Sequence, residues 1–216
     1  MNTSFARQQM VKQQARAWDV LDENVLAVLG DVPRERFVPA GFEPLAFADT
    51  EIPIGHGQNM MTPTIEGRVL QALQLTGDEK VLEIGTGSGF LTACLAQLSA
   101  SVTSIDVHEN FVNAAQTKLA DNGMENVELL TMDGTQLLPE GLFDAIAVTG
   151  SIQSFDPRFV DALNPGGRLF VIVGDAPTMR ATLVQRTRDG DLQRKTLFET
   201  VLTPLLNATL PPQFSF

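Results

Sequence analysis

The feature that most constrains this chain is a glycine-rich loop between two apolar segments. Residues 80–84 read KVLEI, residues 85–89 read GTGSG, and residues 90–98 are apolar on most sides of a predicted helix. A buried strand, a glycine turn and a helix in this order open a βαβ unit, in which backbone N–H groups at the helix start cradle a ligand. The loop therefore predicts an α/β domain with a cofactor site.

Strand-like and helix-like segments alternate after this loop. Strands are predicted at 80–84, 102–107, 127–131, 143–149 and 168–173, and helices at 65–75, 90–98, 109–122 and 157–163. This alternation predicts a doubly wound, mostly parallel, Rossmann-like sheet. Asp189-Gly190 lies between two further strand-like segments, at 182–188 and 192–202. Since Asp-Gly favours a tight hairpin turn, we expect antiparallel strands at the C-terminal edge.

The N-terminal part follows a different pattern. Residues 4–18 have loosely helical spacing, and Asp22 is placed to cap a second helix that runs to Leu29. Prolines and glycines recur through 31–64, which excludes long helices and predicts an ordered loop region with short strands near 36–38 and 51–54. We expect helices and a substrate loop at 1–64, packed on a cofactor-binding core at 65–216 as one integrated domain.

Composition narrows the possible partners. The 15 basic and 26 acidic residues give a net charge of −11, which disfavours nucleic acid and anionic membranes as partners. One cysteine and two histidines exclude a multi-thiolate or histidine-rich metal site; other metal chemistry stays open, and no residue is assigned as a metal ligand. No apolar run reaches the roughly 18–20 residues of a membrane span, and the start lacks a secretory signal core. We expect a cytoplasmic protein, whose oligomeric state is left open.

Three acidic residues stand at the carboxyl ends of predicted strands, where open α/β sheets bind ligands. Glu83 lies two residues before Gly85, Asp106 ends the second strand, and Asp133 follows the third. Each acid has an alternative explanation as a turn or helix-cap residue, and for Asp133 taken alone that explanation is equally good. Together with the glycine loop, they predict a cofactor site.

The loop spacing favours S-adenosylmethionine over a dinucleotide. The dinucleotide fingerprint is G-x-G-x-x-G, whereas this loop reads G-x-G-x-G with Phe90 in sixth place. A buried carboxylate at Glu83 is costly without a partner, and S-adenosylmethionine brings an ammonium group and no pyrophosphate. Asp106 suits the ribose hydroxyls and Asp133 the adenine amino group; NAD remains the alternative, because its sites also use a ribose-binding acid. The predicted cofactor-binding residues are Glu83, Gly85, Thr86, Gly87, Ser88, Gly89, Asp106, Val107, Asp133 and Gly134.

Several segments resemble the protein-L-isoaspartate (D-aspartate) O-methyltransferases, a family of class I S-adenosylmethionine-dependent methyltransferases. They include Val32-Pro33-Arg34-Glu35, Ile52-Pro53-Ile54-Gly55, the segment from Val81 to Gly89, and Leu163-Asn164-Pro165-Gly166-Gly167. The resemblance implies methyl transfer to the free carboxylate of an isoaspartyl residue in damaged protein, with S-adenosylhomocysteine as the product. The methyl ester then cyclises to a succinimide, part of which reopens to aspartate. A peptide or protein carboxylate is the implied substrate.

The loop at 58–63 departs from the family pattern, Gln-Thr-Ile-Ser-x-Pro, whose serine lies at the reacting centre. Met61 stands at the serine position and cannot donate a hydrogen bond. The resemblance places Asn59, Met61 and Thr62 at catalytic positions and Ile54, His56 and Gln58 at substrate-binding positions.

Three alternatives follow from this departure. Thr62 replaces the missing hydroxyl, with Asn59 adding an amide donor; or the protein methylates a different acceptor; or it binds the cofactor with little or no catalysis, as a sensor would. The first alternative predicts that Thr62→Val lowers turnover much more than cofactor affinity.

Overall fold

A seven-stranded sheet and a small separate hairpin form the framework of the computed structural model, which describes residues 3–208. The strands are β1 (Ile52–Gly55), β2 (Gln58–Met60), β3 (Lys80–Ile84), β4 (Ser101–Asp106), β5 (Val127–Thr131), β6 (Phe143–Ile152), β7 (Leu163–Asp175), β8 (Thr178–Arg186) and β9 (Leu192–Thr200). The α-helices are α1 (Thr3–Gln9), α2 (Glu23–Asp31), α3 (Pro63–Leu73), α4 (Phe90–Leu98), α5 (Glu109–Asp121) and α6 (Arg158–Asp161).

The order of strands across the large sheet is β5-β4-β3-β6-β7-β8-β9. The first five of these run parallel, and β8 and β9 add an antiparallel edge. The chain adds strands on one side of β3 and then crosses to β6 on its other side. The crevice beside β3 is therefore the topological switch point, where open α/β sheets bind their ligands. The predicted fold class and antiparallel C-terminal edge are confirmed.

The central strands are buried on both faces, because their successive side chains enter two different cores. Val81, Ala145 and Phe170 belong to one core, which also contains apolar residues of α2, α3, α4 and α5. Leu82 and Ile146 belong to the other, which α6 covers. Such strands read as continuous apolar runs rather than as alternating ones, which is the pattern in KVLEI and in residues 143–149.

The N-terminal part packs on the first of these cores. Asp22 caps α2 by accepting from the N–H groups of Asn24 and Val25, as predicted. The prediction of a strand near residues 36–38 is wrong, because Arg34–Arg36 forms a 3-10 turn. The prolines on either side interrupt regular backbone structure, and Arg34 is buried in the core. The other expected strand forms as β1 and pairs antiparallel with β2.

One core is shared between the two predicted parts of the chain. Met10, Leu29 and Phe37 of the N-terminal part lie in the same buried cluster as Phe90 and Leu95 of the core. We propose that the parts unfold as one unit. Coincident far-ultraviolet and tryptophan-fluorescence transitions in urea would support this, and two separate transitions would contradict it.

Within residues 3–208, none of the helices has the length and apolar character that crossing a bilayer requires.

Candidate active site

The glycine loop after β3 adopts backbone angles that favour glycine. Gly85, Gly87 and Gly89 have φ of +105°, +50° and +83°. A Cβ on Gly85 would lie 2.2 Å from Thr149 Oγ1 on β6. On the other side, the Gly85 N–H donates to the carbonyl of Ile105 on β4 over 2.8 Å. The loop is therefore held closely between the two strands that flank β3.

Glu83 in β3 is fully buried and has one carboxylate oxygen without a partner. Its Oε2 accepts from Thr92 Oγ1 and, over 2.6 Å, from Ser104 Oγ. Its Oε1 is buried, and no group within residues 3–208 bonds to it. Burial raises the pKa of Glu83 to about 8, against the lowering effect of the bonds from Ser104 and Thr92. Glu83 borders a cleft, so its free oxygen suits a cationic or hydrogen-bond-donating ligand group.

Asp106 at the end of β4 is held by two backbone N–H groups. Its Oδ2 accepts from Gly87 over 2.9 Å, and its Oδ1 accepts from His108 over 2.9 Å. A carboxylate offers about four lone-pair sites, so acceptor capacity remains on both oxygens. Asp106 and Val107 border the same cleft as Glu83. An oriented carboxylate in this position can bind a pair of neighbouring hydroxyls, as a ribose presents them.

Asp133 follows β5 and is held by donors from two directions. Thr135 donates to its Oδ1 through N–H and hydroxyl, over 2.9 and 2.6 Å, and Asn207 Nδ2 donates to its Oδ2 over 2.9 Å. Burial raises the pKa of Asp133, but the hydrogen bonds from Thr135 and Asn207 outweigh it and hold the pKa below its ordinary value. Asp133 therefore stays ionised and can accept from a ligand amino group. Gly134 beside it packs against Ile84, where a Cβ would lie 2.6 Å from Cγ2.

The hairpin β1–β2 and the residue that follows it line another part of the cleft. Ile54, Gln58, Asn59 and Met61 border it. His56 does not; it lies at the exposed tip of the hairpin, in the left-handed region at φ +53°. Its ring stacks on that of His108, which does border the cleft, with 4.1 Å between ring centroids. The structure thus brings four of the six predicted catalytic and substrate-binding residues to the cleft.

Thr62, the remaining predicted catalytic residue, is not among the residues that border the cleft. Its Oγ1 accepts from the N–H of Ile65 as the N-cap of α3, and it shares a 2.8 Å bond with Thr64 Oγ1. The neighbouring Met61 is 6% exposed, and its carbonyl accepts from the buried guanidinium of Arg34 over 2.7 Å. The structure therefore gives Thr62 a capping role and fixes the main chain of Met61 through Arg34.

The third wall comes from the last described segment, 201–208, which the sequence did not indicate as part of the site. Leu205 and Leu206 border the cleft together with Thr149 and Gly150. The segment is joined to β6 at Ser151, whose N–H donates to Thr203 O over 3.1 Å and whose carbonyl accepts from Leu205 N over 2.9 Å.

The cleft as a whole fits S-adenosylmethionine. Together with the solvent space at its mouth, it encloses about 780 Å³. The acidic residues that border it are Glu83, Asp106 and Asp133, and the described lining contains no lysine or arginine. A pyrophosphate would meet carboxylates and no cation, whereas an ammonium group would meet the free oxygen of Glu83. The donor set therefore favours S-adenosylmethionine over NAD.

Known proteins resemble this chain over most of its length. The model of the protein-L-isoaspartate (D-aspartate) O-methyltransferase family matches residues 5–209. A protein-L-isoaspartate O-methyltransferase from Koribacter versatilis is 37% identical over 207 residues, which cover 94% of this chain and 93% of that one. One from Opitutus terrae is 39% identical over 199 residues, covering 92% and 85%.

The fold also matches a solved structure. A Plasmodium falciparum protein assigned to the same activity, crystallised with S-adenosyl-L-homocysteine, superposes with a TM-score of 0.79. It is 21% identical, and the match covers 92% of this chain and 97% of that one. The family model and the curated relatives together show that this chain belongs to the protein-L-isoaspartate (D-aspartate) O-methyltransferase family.

Proposed function

We propose that this protein transfers a methyl group from S-adenosylmethionine to the free carboxylate of isoaspartyl residues in damaged proteins. The observation that carries the proposal is the shared cleft: the strand-end acids and the hairpin β1–β2 border the same cleft. In a chain of this family, that arrangement supports a cofactor site directly beside a site for a peptide. When bound, S-adenosylmethionine supplies an electrophilic methyl group on a sulfonium and leaves as S-adenosylhomocysteine.

The residues of the cleft divide between binding the cofactor and placing the acceptor. We assign the ammonium group to Glu83, the ribose to Asp106 and the adenine to Asp133, with the glycine loop against the cofactor backbone. The hairpin residues Ile54 and Met61 supply an apolar wall that excludes water from the reacting atoms.

The acceptor needs positioning rather than activation. A carboxylate is ionised at pH 7, so its oxygen attacks the methyl carbon without a general base. Catalysis then comes from holding the carboxylate in line with the methyl group, which converts a bimolecular reaction into one within a complex. The lining of the described cleft agrees with this, because His108 is its only titratable residue besides Glu83, Asp106 and Asp133.

The same features support the rest of the assignment. We place the activity on peptide and protein substrates in the cytoplasm, with nucleic acid excluded as a partner. The net charge of −11 and the carboxylates of Asp106 and Asp133 in the cleft would repel a phosphate backbone.

The test is methyl transfer from labelled S-adenosylmethionine to an isoaspartyl peptide, with its aspartyl twin as the control. We expect base-labile label on the isoaspartyl peptide alone. Label on both peptides, or on neither while the cofactor raises the melting temperature, would contradict the proposed substrate and favour a different acceptor or a non-catalytic binder.

Glu83 should make cofactor affinity depend on pH. Its pKa is raised to about 8 by burial in the free protein, so the protonated form predominates at neutral pH. This protonation contributes to the free energy of unfolding. The contribution is fully present below the ordinary carboxyl pKa of 4.5 and is lost as the pH rises through about 8. An ammonium group beside Glu83 favours the carboxylate, so cofactor binding should release a proton, and affinity should rise with pH by up to about tenfold per unit below pH 8.

Calorimetry in two buffers of different ionisation enthalpy, at about pH 6.5, measures this proton release directly. In Glu83→Gln the release should disappear and the pH profile should flatten. Equal proton release by the variant and the natural protein would show that Glu83 does not carry it.

A further inference from the structure

An acceptor carboxylate beside Met61 needs a hydrogen-bond donor from somewhere else, because a thioether has none. A hydroxyl carries one proton, so a hydroxyl that already donates within the protein has none left for a substrate. Thr64 donates to Asp49 Oδ1 over 2.7 Å, and the 2.8 Å bond between Thr62 and Thr64 therefore uses the proton of Thr62. Thr62 has no proton free for an acceptor.

Most hydroxyls that border the cleft are committed in the same way. Thr149 donates to the carbonyls of Ile84 and Gly85, Thr135 donates to Asp133, and Thr86 donates to Ser104, whose own proton goes to Glu83. Ser88 keeps its proton, since its Oγ only accepts from the N–H of Phe90. Ser88 lies in the glycine loop, however, on the cofactor side of the cleft.

Thr203 does not itself border the cleft, but its hydroxyl has a free proton and bonds to a residue that does. Its Oγ1 accepts from Asn59 Nδ2 over 3.2 Å, and no acceptor for its own proton occurs within residues 3–208. Asn59 lies in β2 and borders the cleft. A hydroxyl that accepts one hydrogen bond is polarised and donates the next one more strongly. The pair therefore holds a polarised donor one hydrogen bond away from a residue that borders the cleft.

The backbone holds Thr203 rigidly in this place. Ser151 bonds to the segment three times: through its N–H to Thr203 O, through its hydroxyl to Leu202 O over 2.8 Å, and through its carbonyl to Leu205 N. Ser151 itself is 1% exposed and belongs to β6. A donor fixed to the central sheet loses little further freedom when it binds a substrate, which suits a positioning role.

We propose that Thr203 binds the acceptor: its hydroxyl, held by Asn59, donates to the isoaspartyl carboxylate in place of the hydroxyl that position 61 lacks. The inference rests on the proposed function and assigns the donor to the segment 201–208 rather than to the loop at 58–63. It also gives Asn59 a positioning role, since its amide orients Thr203.

Thr203→Val removes the hydroxyl at nearly constant volume, and Thr203→Ser keeps it. We expect the valine variant to lose about 10- to 100-fold in kcat/KM for an isoaspartyl peptide, the range for a lost donor to a charged acceptor. The serine variant should stay near the natural protein. Affinity for S-adenosylmethionine and the melting temperature should be unchanged in both. Thr182→Val, on β8, is the matched control for the Thr-to-Val change itself, because the Thr182 hydroxyl donates to the carbonyl of Arg180 and neither residue borders the cleft.

The outcomes separate this inference from the proposed function. Isoaspartate-dependent ester from the natural protein, with unchanged kcat/KM in Thr203→Val, would overturn only the role of Thr203. An equal loss in the serine and valine variants, or a parallel loss of cofactor affinity, would mean that Thr203 acts through packing and would also overturn it. If the natural protein neither methylates an isoaspartyl peptide nor binds it in the presence of S-adenosylhomocysteine, both proposals fail.

Discussion

Arg34→Met is expected to lower the free energy of unfolding by about 3–5 kcal/mol, because it leaves a buried carboxylate without its partner. The guanidinium of Arg34 is completely buried and bonds to Glu66, which is 2% exposed. It also donates to the carbonyls of Ala46 and Met61 over 2.8 and 2.7 Å and lies 4.7 Å from the centroid of the Phe90 ring. Urea unfolding measures the loss.

Two further variants separate the buried charge from the size of the side chain. Arg34→Met combined with Glu66→Leu should recover much of the lost stability, since no buried charge is then left unpaired. Arg16→Met breaks an exposed pair with Glu23 and should cost no more than about 1 kcal/mol. If Arg34→Met were as stable as Arg16→Met, the buried pair would not be a main support of the N-terminal part.

The double variant Arg34→Met/Glu66→Leu also tests whether Arg34 holds the main chain of Met61, which borders the cleft. Without Arg34, the carbonyl of Met61 loses its donor even when stability returns. We therefore expect the double variant to bind S-adenosylmethionine normally and to show a raised KM for the isoaspartyl peptide.

Gly85→Ala is expected to weaken S-adenosylmethionine binding by tenfold or more. The residue adopts φ +105°, which strains any side chain, and its Cβ would lie 2.2 Å from Thr149 Oγ1. Strain of this kind costs about 1–3 kcal/mol, and about 1.4 kcal/mol corresponds to a factor of ten in affinity. The loop or β6 must move to accept the methyl group, and both border the cleft. Calorimetric titration with S-adenosylmethionine gives the change.

Gly30→Ala is the matched control for this prediction. Gly30 lies in α2, and a Cβ there would have no neighbour within 4 Å. Alanine is the better helix former by about 0.8–1 kcal/mol, so this variant should be somewhat more stable and should bind the cofactor normally. Equal cofactor affinities in Gly85→Ala and Gly30→Ala would contradict the role given to the loop.

The parts of the fold that were predictable are those where local pattern and burial agree. β3, α4 and β5 begin and end where the apolar runs do, at 80–84, 90–98 and 127–131. The first βα turn and the strand-end acids follow from the same pattern, because parallel strands end at one edge. Of the hairpin β1–β2, only the first strand was predicted. Its turn uses three successive positive φ values, at Gly55, His56 and Gly57, and the proline-rich sequence around it obscures the second strand.

The rest of the site depends on contacts between distant segments. Thr203 is 144 residues from Asn59 in the chain, and nothing in either local sequence indicates that they meet. Thr62 was a natural choice for the missing hydroxyl because it adjoins Met61. Its local context, Thr followed by Pro63 at the start of a helix, is equally typical of an N-cap, and the structure uses it that way.

The most direct test of the whole account follows one isoaspartyl peptide through the reaction by mass spectrometry, with purified protein and excess S-adenosylmethionine. The account predicts a methyl ester first, then the succinimide, and then accumulating aspartyl peptide, while an aspartyl twin in a parallel tube stays unmodified. Persistence of unmodified isoaspartyl peptide, under conditions where calorimetry shows the cofactor bound, would contradict it.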